Sequence, residues 1–199
     1  MTFCVDPSSV SSPFLILTLD LPPSPLFIDD QDRTNIIPQI PIESLLAKYD
    51  GITTKEEKGG IQRRYSILQL PNYLILCVKR FTKQPWEDKR EKNPTIVTFP
   101  LNGLDMSEYV DKVRKDDEAR LGMRYDLIAN ICHEGEPTGG HYKVYVRKMT
   151  IKQRENSEDT VMNGDKDILV DQWFLIQDLV VEQVPAQVLL LSESYIQVP

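Results

Sequence analysis

The sequence runs to 199 residues, enough for one domain with a substantial core, and sets 30 Asp and Glu against 23 Lys and Arg for a net charge of −7. That balance leaves no overall basic footprint for neutralising phosphates, which argues against direct nucleic-acid binding. No apolar stretch has the length of a membrane span, and Phe14–Leu21 is too short and too proline-interrupted for a signal sequence, so no membrane partner is expected and the protein reads as soluble and intracellular.

Residues 1–12 are Ser-rich and read as a loose N-terminal segment. Phe14–Leu19 is an apolar run of β type, closed by prolines that cannot sit in a central strand. Ile42, Leu45, Leu46 and Tyr49 fall at i, i+3, i+4 and i+7, with Pro41 at the start and Gly51 beyond the end, which predicts a short amphipathic helix. Thr53–Gly60 reads as a charged loop. Tyr65–Leu68 and Tyr73–Val78 read as strands, the second a continuous apolar run of the kind buried on both faces. Lys79–Lys92 reads as an exposed hairpin or loop. Its cations Lys79, Arg80, Lys83, Lys89, Arg90 and Lys92 are offset by Glu87, Asp88 and Glu91, which favours a solvated segment over a phosphate site.

Ile96–Phe99 is another short strand, and Met106, Tyr109, Val110 and Val113 repeat at the spacing of an amphipathic helix over Asp105–Glu118. Tyr125–Ile131 and His141–Val146 make a strand pair joined by a Gly-rich loop. A polar insertion follows at about 147–167, with many charges and little to bury. Trp173–Ile176, Val188–Leu191 and Tyr195–Val198 read as the last strands. The pattern is α+β, mainly antiparallel sheet with a few short helices. Tyr125–Ile131, His141–Val146 and Trp173–Ile176 are expected in one antiparallel sheet.

The chemistry concentrates in Tyr125–Gly135, Gly139-Gly-His-Tyr142 and Trp173-Phe-Leu-Ile-Gln-Asp178. The diglycine lets another segment pass close by, which presents His141 at a cleft rather than in a core. Gln177 and Asp178 end a later strand and could orient the imidazole through its other nitrogen, the base-plus-orienter half of a nucleophilic triad. Of the three cysteines, Cys4, Cys77 and Cys132, none has the setting of an activated nucleophile. Their spacing argues against a disulfide framework and fits a reducing compartment. Cys77, in an apolar strand, reads as core. Cys132, His133 and His141 lack a fourth metal ligand, so His133 reads as structural, and neither a metal nor a cofactor is expected.

These segments resemble the His box of the ubiquitin-specific proteases, the papain-like ubiquitin carboxyl-terminal hydrolases. Ser12–Pro22, Leu70–Phe81 and Ser194-Tyr-Ile196 are similar to strands flanking that box. Pro22–Leu26, Ile37–Pro41, Leu46–Thr53, Lys92–Thr95 and Ser192–Gln197 resemble the subgroup that serves in assembling the spliceosomal tri-snRNP. The resemblance implies that 13–199 is the C-terminal part of a papain-like catalytic domain, with His141 as general base. It puts the family's orienting Asp or Asn at Gln177, with Asp178 one further on, and implies that the nucleophile lies in an Asn-x-x-Asn-x-Cys-Tyr type box missing here, so the triad is vestigial or partial. It implies a catalytically defective, nuclear interaction module in pre-mRNA splicing, with tri-snRNP proteins and ubiquitin or a ubiquitin-like protein as partners. That subgroup often lacks His at the position of His141. Its presence here supports the alternative, the C-terminal half of an active cysteine-type deubiquitinase whose Cys box lies upstream of Met1.

Overall fold

A computed structural model describes residues 9–23, 37–57, 60–83, 90–111, 123–152 and 168–199. The strands in chain order are β1 (Leu17–Asp20), β2 (Gln39–Pro41), β3 (Lys55–Glu57), β4 (Ile61–Arg63), β5 (Leu76–Lys79), β6 (Phe81–Lys83), β7 (Arg90–Lys92) and β8 (Ile96–Thr98). They continue with β9 (Leu104–Asp105), β10 (Arg124–Tyr125), β11 (Ala129–Glu134), β12 (His141–Lys152), β13 (Ile168–Gln177), β14 (Val180–Val184) and β15 (Ser194–Val198). Among the described residues, two short α-helices, α1 (Ile42–Leu46), extended by a 3-10 turn at Ala47–Tyr49, and α2 (Gln187–Leu190), complete the α+β architecture.

A seven-stranded sheet in the order β1-β5-β15-β11-β12-β13-β14 is the framework. Its pairs are antiparallel apart from β1 with β5. The expected grouping of three strands is found, with β11 and β13 flanking β12. Alternation along the strands splits the sheet into two faces. On one, Leu17, Leu19, Leu76, Val78, Tyr145 and Trp173 are buried in one cluster with Ile42, Leu45 and Leu46 of α1 and Leu189 of α2. On the other, Cys77, Ile131, Val144, Val146, Phe174, Ile176 and Ile196 remain half-buried. The open edge of β1 is blunted locally, because the Tyr49 hydroxyl donates to Thr18 O at 2.7 Å.

Several expectations need correction. The spacing over Asp105–Glu118 does not give a helix in the described part. Asp105 closes β9 and its carboxylate accepts from Ser107 N at 2.8 Å, a local side-chain bond that starts a turn, and Val110 bridges Ile67. Met106, Tyr109 and Val110 are buried by that turn, so a spacing of three and four marks burial rather than helix; Val113 to Glu118 lie outside the described residues. Val188–Leu191 is not a strand, since Pro185 and Ala186 lead into helix α2 and bury only Leu189. Within Thr53–Gly60, Lys55–Glu57 pairs with β4 as a ribbon. Tyr65–Leu68 contributes only isolated bridges at Ser66 and Ile67. In Tyr73–Val78 the strand starts at Leu76, and Cys77 is half-buried on the second face, not core. The insertion begins later than about 147, since β12 runs to Lys152 and β13 resumes at Ile168; residues 153–167 are outside the described set.

The hairpin over Lys79–Lys92 is found as β6 and β7, yet two of its cations are not solvated. Arg80 is fully buried and donates to Ser194 O at 2.5 Å, Asn93 O at 2.9 Å and Thr95 O at 2.6 Å. Truncation would remove three hydrogen bonds from a largely buried site, each loss costing about 1–3 kcal/mol. Arg80→Ala is expected to lower the urea midpoint by the equivalent of about 3 kcal/mol or more. Arg80→Lys should recover only part, because an ammonium cannot reproduce the planar fork. An unchanged midpoint for Arg80→Ala would remove Arg80 from this role.

Candidate functional site around His141

His141 opens β12 directly opposite Glu134, the last residue of β11. The connecting loop closes on glycine geometry. Gly135 has φ +91°, and a Cβ on Gly140 would lie 2.3 Å from Glu134 O and from the His133 ring. Gly139 has open space around it, so the second glycine of the pair is the one the fold requires. Lys92, from β7, holds the loop from beneath. Its Nζ donates to His133 O at 2.7 Å and Gly135 O at 3.3 Å and lies 2.5 Å from Glu193 Oε2.

The imidazole of His141 is exposed, with Nε2 3.3 Å from Glu134 Oε2. The other carboxylate oxygen of Glu134 accepts from Lys143 Nζ at 2.5 Å. That bond, with the cations around it, holds the Glu134 carboxyl below the usual carboxylate range. Gln177 pairs with Val180 on β14, and the β12 register that sets Val144 against Ile176 puts Gln177 opposite Lys143. Gln177 is therefore a diagonal neighbour of His141 on the same face. Asp178 has left the strand at φ 52°, in the turn to β14. Glu134, Lys143 and Lys92 were missed from the sequence. Pairing Glu134 with His141 across the Gly-rich loop, two residues per step, would have found the first two.

The described cysteines sit where the thiol is favoured over the thiolate. Cys132 shares the face of His141, but it is buried in the core and burial pushes its thiol up to about 11. The thiol donates to Ser192 Oγ at 3.2 Å, and that hydroxyl also accepts from Asn130 Nδ2 at 3.1 Å. Burial also raises the Cys77 thiol, and Cys4 lies outside the described residues. His133 is buried edge-on against Phe81 and Tyr142, at centroid distances of 5.1 and 5.0 Å, and burial with the nearby Lys92 charge lowers its pKa. Among the described residues no group of three His, Cys, Asp or Glu could hold a metal, and no helix is long and apolar enough to cross a membrane.

Residues 14–198 match the family described as ubiquitin carboxyl-terminal hydrolase. The human protein named ubiquitin carboxyl-terminal hydrolase 39 is 40% identical over 192 residues, covering 95% of this chain and 30% of its own length. A Schizosaccharomyces pombe protein named probable mRNA-splicing protein ubp10 is 38% identical over 185 residues, covering 93% of this chain and 33% of its own. A solved structure titled as an essential yeast splicing factor superposes with a TM-score of 0.53 at 25% identity, over 93% of this chain and 35% of that one. The chain thus spans about a third of the length of the relatives it matches.

The glycine geometry separates two neighbouring positions. Gly140→Ala is expected to cost about 2 kcal/mol, because the backbone carbonyl and the ring it would strike must both move. Gly139→Ala should stay within about 0.5 kcal/mol of the parent. Denaturant midpoints measure both, and equal losses would contradict the close approach seen only at Gly140.

Proposed function

Because this chain belongs to the ubiquitin carboxyl-terminal hydrolase family, we propose that it is the His-bearing part of a ubiquitin-protease-like domain that acts as a nuclear binding module in pre-mRNA splicing, in tri-snRNP assembly. The observation that carries this reading is the state of Cys132. It is the described cysteine on the face of His141, and it is buried, protonated and bonded to Ser192. A thiol that titrates near 11 supplies almost no thiolate at neutral pH, so His141 has no nucleophile to serve within the described residues. The splicing names of the fission yeast relative and the superposed yeast structure support the cellular setting. Spliceosomal proteins and ubiquitin or a ubiquitin-like protein are the proposed partners.

The half-buried apolar face supports a binding role too. Cys77, Ile131, Val144, Val146, Phe174, Ile176 and Ile196 line it, and Tyr142, Leu179, Val180 and Val181 are exposed towards the His141 end. Exposed apolar side chains gathered at one end of a sheet favour an interaction site over a plain solvent boundary. One observation favours a second reading. His141 is exposed and set against a carboxylate, the condition of a usable base, so a deubiquitinase drawing its Cys from elsewhere in a longer chain is the alternative.

Ubiquitin carrying a C-terminal electrophile is expected to leave the 199-residue chain unlabelled. Stoichiometric labelling lost in Cys132→Ser would make Cys132 the nucleophile and overturn the reading. In a splicing-competent nuclear extract, tagged chain should enrich tri-snRNP proteins over a tag-only control; enrichment of ubiquitin conjugates alone would favour the enzyme.

The half-buried face gives a separate expectation. Sedimentation should show self-association, and a hydrophobic dye should gain fluorescence on binding. A monodisperse monomer that binds no dye would mean the face is complete as it stands.

A further inference from the structure

The family pattern gives the orienting of the His141 ring to the closing strand, at Gln177 or Asp178, but the atoms around the imidazole point elsewhere. We propose that Glu134 is the positioning residue of His141, holding Nε2 from the neighbouring strand and leaving Nδ1 as the nitrogen that accepts a proton from a thiol or another donor. The inference rests on reading His141 as the base of the site, and it concerns which group aims that base.

Register decides first. Glu134 and His141 are directly opposed at the end of the β11–β12 ladder, the closest cross-strand relation a sheet offers, and Nε2 stands 3.3 Å from Oε2. Gln177 faces Lys143 and reaches His141 only along the diagonal, a separation of about 7–8 Å between backbone positions. Asp178 has turned out of the strand with a positive φ.

Charge decides second. Lys143 binds Oε1 of Glu134 at 2.5 Å, which fixes the rotamer of the carboxylate, keeps it ionised and turns Oε2 towards the imidazole. Lys143, Glu134 and His141 thus form a short relay of alternating role, in which the cation secures the anion and the anion secures the ring. A carboxylate at Nε2 keeps the N–H on that nitrogen and the lone pair on Nδ1. When Nδ1 takes a proton from its donor, the charge that forms on the ring faces an anion. The neutral amide of Gln177 could not supply that stabilisation.

Nuclear magnetic resonance on the labelled 199-residue chain tests this without reference to any activity, so an inert protein can still support it. The Glu134 carboxyl carbon should report the protonation of His141 as an inflection separate from its own titration. In Glu134→Gln the His141 side chain should exchange its single rotamer for an average, seen in its Cα–Cβ couplings, while Gln177→Ala and Asp178→Ala leave both signatures in place. Thermal midpoints confirm that each variant is folded. The proposal is overturned if the Glu134 carbon is flat while His141 titrates, or if Gln177→Ala or Asp178→Ala releases the ring and Glu134→Gln does not.

Discussion

A guanidinium sealed inside the sheet is the constraint on which the site depends. Arg80 follows β5 and is fully buried, so its charge loses hydration that only good acceptors can replace. The three carbonyls it meets come from Asn93, Thr95 and Ser194, two separate stretches of chain. Burial lowers its pKa, while Glu193 raises it, so the nearby carboxylate supports the charged form. The same Glu193 pairs with Lys92, and Lys92 holds the carbonyls that bracket Glu134. One line of interactions therefore runs from Arg80, bonded to Ser194 O and near the Glu193 charge, through Glu193 and Lys92 to the loop that sets His141. Asn93 extends it, donating from its backbone N to Arg80 O at 2.8 Å and from its side chain to Pro22 O at 2.8 Å.

The same framework gives the imidazole and the thiol different surroundings on one face. Cys132 pairs with Lys143 on β12 and with Ser194 on β15, in the middle of the sheet, whereas Glu134 and His141 stand at the ladder's end. A central position buries the thiol, and that burial favours the protonated form against the opposing effect of the Ser192 hydroxyl. The ladder's end leaves the imidazole in water. Two residues of β-strand separate a sulfur that behaves as a small apolar side chain from a ring available for proton transfer.

How much of this could be read from the sequence depended on whether a pattern had one structural solution. Gly140-His-Tyr142 had one, because a ring passing within 2.3 Å of a would-be Cβ admits only glycine. The grouping of β11, β12 and β13 in one sheet was legible from chain order and the Gly-rich reversal, whereas the continuous apolar run Trp173–Ile176 left the register open. The helix expected over Asp105–Glu118 failed because Met106, Tyr109 and Val110 satisfy their burial through a turn started by the Asp105 side chain, and periodicity records burial without recording backbone. Arg80 and Lys92 were hidden by composition. Summed with Glu87, Asp88 and Glu91 they suggest a solvated segment, and nothing local shows that two of the cations point inward to carbonyls 13 to 114 residues away.

Glu134 illustrates a different limit. A family pattern assigns roles by position along the chain, and the closing strand is where an orienting group is expected. Here that position carries Gln177, whose neutral amide sits diagonal to the ring, while the strand before the Gly-rich loop carries a carboxylate directly opposite it. Physical proximity and charge both favour the nearer group. Lys143 makes the arrangement stable by occupying the second carboxylate oxygen, which would otherwise compete for the same N–H or turn to water. On the proposal that Glu134 positions His141, the adjacent strand supplies the charge that Gln177 lacks. That setting is independent of any nucleophile, which is why a preserved His141 and a sequestered Cys132 are compatible in one fold.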